Sequence, residues 1–387
     1  MTRRLQYAAF WLLALCATGA GAYEEIIPKI PPGFEPELNK DERGLWMEFA
    51  ELEQQLRESP LLISDPVVND YVKDVACRVA GKYCQDLRVY VIRNPGFNAS
   101  MAANGSMLVW TGLLMRVGSE DELASVLGHE VAHYAMAHSL ARFRRIRSSM
   151  GLGSIVSLGI GVATGVIVPI GELAAQMNAL AFSRAQESEA DRLGAQFMNL
   201  AGYDPHASYA VWEQLLAEEE EAVAKRDEPG LFMGTHPATE KRIEELREWV
   251  PENYGPSRGS QNPDRHRQAV GSQYLVYMED QIDTNRYGRT SFLLQRHAEL
   301  GVEPALLEFF RGEMYRQRGE EGDTALASGA YEASIAAGPA PAAAYRNLGY
   351  LRLKEKNIAG ARTLFERYLE LRPDADDRAM IEFYLAE

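Results

Sequence analysis

Residues 119–135 read Ser119-Glu120-Asp121-Glu122-Leu123-Ala124-Ser125-Val126-Leu127-Gly128-His129-Glu130-Val131-Ala132-His133-Tyr134-Ala135. A serine followed by three acids predicts a helix start: the hydroxyl can accept an orphan backbone N–H, and carboxylates suit the positive end of the helix dipole. The helix is expected to continue past His133 and carries an HExxH motif, His129-Glu130-Val131-Ala132-His133. At about 100° per residue, positions four apart differ by about 40° around the axis, so both imidazoles leave one face. Two neutral imidazoles so placed can bind one Zn2+, with Glu130 beside them to take a proton from the bound water. His138 comes too late in the same helix, swung roughly 140° from His133. It is expected beside the ligands or on the surface, not among them.

A catalytic zinc needs a third protein ligand and one open position. The source is sought in Phe182-Ser183-Arg184-Ala185-Gln186-Glu187-Ser188-Glu189-Ala190-Asp191. At helical spacing Glu187, Ala190, Asp191 and Gly194 share one face, whose two small residues permit close packing on the histidine helix. Glu189 falls with Arg192 and Gln196 on what reads as a solvated face. Glu187 is therefore the expected ligand. Asp191, one turn on, can accept a hydrogen bond from a ligating histidine and fix its tautomer. His236, on a loop between Gly234-Thr235 and Pro237, is the remaining catalytic candidate. It can stabilise an oxyanion, or swing onto zinc as a fourth ligand and block the water. The run Glu218 to Glu221 reads as a solvated helix face.

Working outward, Arg88–Ile92 and Gly105–Thr111 are strand candidates by their β-branched and aromatic content. The second, around Met107, Leu108 and Val109, is expected to be an edge on which an extended substrate adds by main-chain hydrogen bonds. Arg3 and Arg4, the apolar run Ala8–Leu15 and the small residues Ala20-Gly21-Ala22 have the layout of a cleavable secretory leader over residues 1–22. Cys16 leaves with it, so Cys77 and Cys84 form the pair expected to be disulfide-bonded in an oxidising compartment. Ser148–Gly171 is uncharged and contains six glycines. A single bilayer crossing there would separate Glu187 from His133, so the segment is expected to turn back as a hairpin against protein or lipid. Arg142, Arg144, Arg145 and Arg147 before it can meet anionic headgroups or simply sit at a solvated helix end.

The stretch Pro251–Gln268 has a linker's composition. Beyond it Ala327, Tyr331 and Pro339 recur as Ala361, Phe365 and Pro373, each displaced by 34 residues. The spacing resembles the tetratricopeptide pattern of paired helices, with residues 286–304 a candidate for a degenerate third unit. The expected division is thus a leader (1–22), a metallopeptidase domain (23–250), a connecting segment (251–285) and repeats (286–387). With a net charge of −15 over 387 residues, the chain is unsuited to general nucleic-acid binding, which needs a basic face. Its mean hydropathy of −0.27 excludes a polytopic membrane protein.

Taken together, Asn98-Ala99, His129-Glu130-x-x-His133, Ser183-Arg184 with Glu187-x-x-x-Asp191, and Thr235-His236-Pro237 with Arg242 resemble the HtpX and CaaX-prenyl-protease family of zinc metallopeptidases. The leader and repeats are similar to its BepA-like periplasmic branch. The resemblance departs at Ser100-Met101-Ala102-Ala103, where the family pattern has phenylalanine and glycine. It implies a mainly α gluzincin domain with a small β-sheet (α+β), followed by helical repeats. It also implies one zinc on His129, His133 and Glu187, Glu130 as general base, and Asp191 and Arg242 behind the ligands. The expected function is zinc-dependent proteolysis of misfolded or misassembled envelope proteins in the periplasm, with possible contact to membrane lipid through 142–171. The rival is an assembly factor for outer-membrane proteins, whose repeats engage the assembly machinery while His236 keeps the metal site latent.

Overall fold

The computed structural model describes residues 25–37, 41–149, 182–221, 232, 236, 239–260 and 262–386. The leader (1–22) and most of the uncharged stretch (150–171) lie outside the described residues. The chain is mainly helical with one small sheet.

The histidine helix forms where the serine cap predicts it. Helix α4 spans Glu120–Ala135, and Ser119 Oγ accepts the Glu122 N–H at 3.2 Å while Glu122 Oε2 accepts the Gly118 N–H at 2.7 Å. All of α4 except Glu122 is buried, because helices surround it. In chain order α1 is Asp41–Arg57, α2 Pro66–Ala80, α3 Thr111–Arg116, α5 His138–Ser149, α6 Arg184–Leu200, α7 Ala207–Glu220 and α8 Glu240–Tyr254. Helices α2, α6 and α7 pack on α4. The closest approach is α6, where Gly194 lies against the backbone of Gly128 and His129. A disulfide joins Cys77 in α2 to Cys84 in the 3-10 turn that follows.

Strand β1 (Arg88–Ile92) pairs parallel with β3 (Ser106–Trp110), and β2 (Ala99–Met101) pairs antiparallel on the other side of β3, giving the order β1-β3-β2. This corrects the expectation for Met107, Leu108 and Val109. They sit on the central strand, fully buried, with both backbone edges occupied, so no substrate can add there. The outer side of β1 is covered too: Ile63 N–H donates to Val91 O at 2.9 Å and Arg93 N–H to Leu61 O at 2.8 Å. Among the described residues β2 is the strand whose outer edge pairs with no other strand, although its Met101 N–H donates to Glu130 Oε2.

The remaining helices are α9 (Pro263–Gly271), α10 (Tyr274–Asp283), α11 (Tyr287–Glu299), α12 (Pro304–Arg318), α13 (Asp323–Ala337), α14 (Ala342–Lys354), α15 (Ile358–Leu371) and α16 (Arg378–Ala386). α12 with α13, and α14 with α15, form packed antiparallel-type hairpins of equivalent construction: Gly312 admits the ring of Tyr331, and Gly349 admits Phe365. The linker-like residues are not free. Asp204 Oδ2 accepts the N–H groups of Arg258 (2.8 Å) and Gly259 (3.0 Å), and buried His266 packs against Tyr71. Nor is Glu218–Glu221 simply a solvated face: Glu218 is buried against Arg116 at 2.7 Å, and Glu219 meets Arg289 at 2.7 Å, tying α7 to α3 and α11. Among the described residues no helix is long and apolar enough to cross a membrane.

Candidate metal centre

Helices α4 and α6 and the residue His236 bring four donors together. The ligand atoms of His129, His133, Glu187 and His236 all lie within 4.8 Å of one another, and every one of these residues is buried. His133 Nε2 is 3.0 Å from His129 Nε2 and 3.4 Å from Glu187 Oε1. His236 Nδ1 is 3.1 Å from Glu187 Oε1 and 3.3 Å from His129 Nε2. Three imidazole nitrogens and one carboxylate oxygen are the donor set of a four-coordinate zinc ion. His236 stands among these donors through Nδ1 and 3.7 Å from Glu130 Oε1 through Nε2.

The electrostatics also call for a cation. Glu130, Glu187 and Asp191 are buried here, and among the described residues the one fixed cation in contact, Arg242, pairs with Glu187 and Asp191. Burial would raise the Glu187 carboxyl, but the adjacent imidazoles of His129, His133 and His236 hold it far below the usual carboxylate range. Burial would lower the His129 imidazole, yet Asp191 and Glu187 outweigh it and raise it to about 9. His133 is pushed down by burial.

Glu130 lies beside the donors. Its Oε2 accepts the Met101 N–H at 3.2 Å, while Oε1 is buried with no hydrogen-bond partner and lies 3.7 Å from His236 Nε2. Burial raises its carboxyl above the ordinary value. The orphaned oxygen is where a water proton can be received.

Asp191 stands where helical spacing puts it, 3.0 Å from His129 Nδ1 through Oδ1. Arg242 ties Glu187 and Asp191 of α6 together, with Nη2 2.7 Å from Asp191 Oδ1, Nη1 2.8 Å from Glu187 Oε2, and Nε also on Asp191. Its guanidinium lies 4.9 Å over the Trp212 ring.

His138 lies beside a ligand, one of the two places expected of it, but by another route, and Glu189 differs from expectation. The α4 helix stops at Ala135, and Ala137 adopts φ 54°, so the chain turns back and His138 is buried against His133 rather than carried round the helix. Glu189 is half-buried against His138 and Lys29, and Gln196 is buried, its side-chain amide exchanging hydrogen bonds with the Ile26 backbone. The segment 26–30 covers the face read as solvated.

An aromatic wall around the donors was not legible in advance. Phe182 stacks on His133 at 4.0 Å, Phe232 stacks on His236 at 4.7 Å, and Trp212 stacks on Phe232 at 5.5 Å. Aromatic residues scattered over 50 positions carry no spacing signal; only their place next to histidine-bearing segments hints at the role. Buried Asn98, just before β2, has both amide atoms without a partner.

Residues 63–250 match the family model described as Peptidase family M48. The chain is 35% identical over 188 residues to the mitochondrial metalloendopeptidase OMA1 of Schizosaccharomyces pombe, a match covering 47% of this chain and 53% of that protein. It is 29% identical over 235 residues to the beta-barrel assembly-enhancing protease of Yersinia pestis (58% of this chain, 47% of that one). Over 205 residues it is 29% identical to the protein of that name from Escherichia coli (50% and 41%). The chain thus spans about half the length of the curated relatives it matches. Its HExxH helix, its acidic helix and His236 all fall inside the matched region, and residues 63–250 carry a Peptidase family M48 domain.

Proposed function

We propose that this protein is a zinc-dependent endopeptidase acting on misfolded or misassembled envelope proteins, its C-terminal helices serving as tetratricopeptide-like repeats that recruit clients or assembly partners. The observation that carries the reading is the buried set His129, His133, Glu187 and His236 within 4.8 Å, with the orphaned Oε1 of Glu130 alongside. Zinc bound there would act as a Lewis acid and lower the pKa of its water to about 7. His129, His133 and Glu187 would hold it. Glu130 takes the proton of the attacking water and returns it to the leaving amine.

The extended substrate lies along β2 rather than β3. Residues 98, 100 and 102 turn their backbone groups toward β3, as the bonds Trp110 N–H to Asn98 O and Ala102 N–H to Ser106 O show. Ala99 and Met101 therefore face away, and the unpartnered Asn98 amide sits at the end of the same edge. Main-chain recognition of this kind suits unfolded clients of varied sequence. The names of the bacterial relatives, beta-barrel assembly-enhancing proteases, support an envelope role. The leader over 1–22, a periplasmic location and peripheral lipid contact through 142–171 belong to this same reading.

A second reading follows from His236. With His236 as fourth donor no position is left for water, so the resting protein would be latent, acting as an assembly factor until His236 withdraws. One experiment addresses both. Glu130→Gln should keep stoichiometric zinc and lose cleavage of an unfolded casein-type substrate by about 10²–10⁴-fold, whereas His236→Ala should cleave faster than wild type if the site is latent. A Glu130→Gln variant that still cuts at the wild-type rate sinks the peptidase mechanism. A His236→Ala variant slower than wild type removes the latent form.

A further inference from the structure

The two histidines of the motif are backed in different ways. His129 Nδ1 meets a carboxylate directly, Asp191 Oδ1 at 3.0 Å. His133 Nδ1 meets another imidazole, the Nδ1 of His138, at 2.9 Å, and His138 Nε2 in turn lies 2.8 Å from Glu189 Oε2. Glu189 is paired at its outer side with Lys29 at 3.1 Å. The turn that makes this possible has its own support: Ala135 O, left over at the end of α4, accepts the N–H groups of Lys29 (3.0 Å) and Ile30 (3.1 Å).

The protons in this chain can be assigned from hydrogen-bonding chemistry. Glu189, as a carboxylate, can only accept, so His138 must carry its proton on Nε2. A neutral His138 then presents a bare lone pair at Nδ1. Two bare nitrogens 2.9 Å apart would repel, so His133 must donate from Nδ1, which leaves the lone pair on its Nε2. That nitrogen is the one facing His129 and Glu187. Asp191 imposes the same tautomer on His129 by a direct bond.

We propose that His138 is a positioning residue that relays the Glu189 carboxylate to His133, fixing the Nδ1–H tautomer and ring orientation that aim Nε2 at the metal. This rests on the reading of His129, His133 and Glu187 as ligands. Two carboxylates on α6, Asp191 and Glu189, thus set the two histidines of α4 from opposite sides, one directly and one through an imidazole. Partners behind a ligating histidine are worth about 10–100-fold in metal affinity.

The test is zinc affinity of the full chain by competition with a chromogenic chelator, together with nitrogen-15 spectra of its labelled histidines. His138→Leu should weaken zinc by about 10–100-fold. His138→Asn, whose side-chain oxygen can replace Nδ1 as acceptor, should recover most of that loss. In the zinc-loaded wild type, His133 should show the Nδ1–H pattern and His138 the Nε2–H pattern. A merely structural role for His138 predicts neither the rescue nor the tautomers. Wild-type affinity in His138→Leu, equal losses in both variants, or a proton on His138 Nδ1 overturns the proposal while leaving the metal site standing. A wild-type protein that takes up no stoichiometric zinc removes the metal reading, and the proposal with it.

Discussion

At the scale of single residues, Arg242 carries more of the metal centre than any other side chain that is not itself a donor. It is buried, spans Glu187 and Asp191, and lies over Trp212. Removing one partner of a buried charge pair leaves the other charge uncompensated, a loss of about 3–5 kcal/mol. A bound divalent ion would restore part of that compensation. Arg242→Met should therefore lower the unfolding temperature sharply in the metal-free protein and less in the zinc-loaded one. Equal losses with and without zinc would show that Arg242 acts by packing alone. Glu187 and Asp191 could be read from the sequence because helical periodicity ties them to each other and to small residues. Arg242 was reached only through family resemblance, and Trp212 and Phe232 not at all, since contacts between residues far apart in sequence leave no local pattern. His138 shows the limit from the other side: its place beside a ligand follows from the turn at Ala137 rather than from a continued α4, and that turn depends on the segment 26–30, whose Lys29 and Ile30 N–H groups donate to Ala135 O.

At the scale of elements, the meeting of α4 and α6 depends on glycine. A Cβ added at Gly194 would stand 3.0 Å from His129 N and 3.2 Å from both Gly128 C and His129 Cα, all backbone atoms that cannot rotate away. Gly194→Val should cost about 1–3 kcal/mol by overpacking. It should also weaken zinc, because separating the helices withdraws Glu187 and Asp191 from the histidines. Gly329, in α13, has nothing within 4 Å of the equivalent position. Gly329→Ala should instead stabilise by about 0.5–1 kcal/mol, the gain expected when a helical glycine is replaced, with zinc affinity unchanged. Thermal unfolding with chelator competition distinguishes the two; wild-type affinity in Gly194→Val would mean that the site does not need this contact. The small-residue face of α6 was visible in the sequence because its period is local. Strand order was not: Met107–Val109 has the composition of any buried strand, and only the pairing of β1 and β2 on its two sides makes it central. The acidic run at Glu218 failed similarly, since its partners Arg116 and Arg289 belong to distant segments.

At the scale of the whole molecule, the peptidase helices and the C-terminal helices meet over buried polar groups rather than through a loose tether. The composition of 251–268 suggests a linker, but Asp204 collects its backbone N–H groups and α9 packs on α2. Two histidines at this junction, His266 and His297, line a cavity of about 500 Å3 together with Met115 and Tyr274. Their bonding is alike: His266 Nε2 meets Leu114 O at 2.9 Å and Nδ1 meets Tyr71 Oη at 3.1 Å, while His297 Nε2 meets Met115 O at 2.7 Å and Nδ1 meets Tyr274 Oη at 2.7 Å. Burial pushes both imidazoles down to about 4. In the unfolded chain they titrate near the ordinary value of about 6.5. Between those values the unfolded state binds more protons, so stability falls as pH drops through that window and is fully retained above it. Each histidine can cost at most about 3 kcal/mol by pH 4, because a tenfold change in proton affinity corresponds to about 1.4 kcal/mol. The unfolding temperature should decline from pH 7 to pH 4, and hydrogen exchange in α9–α11 should rise before exchange in α4. His266→Asn and His297→Asn should each be less stable at pH 7 but show a shallower decline, because one titrating group has been removed. A double variant whose decline matches that of the wild type would assign the acid sensitivity to other groups and leave the junction histidines as packing alone.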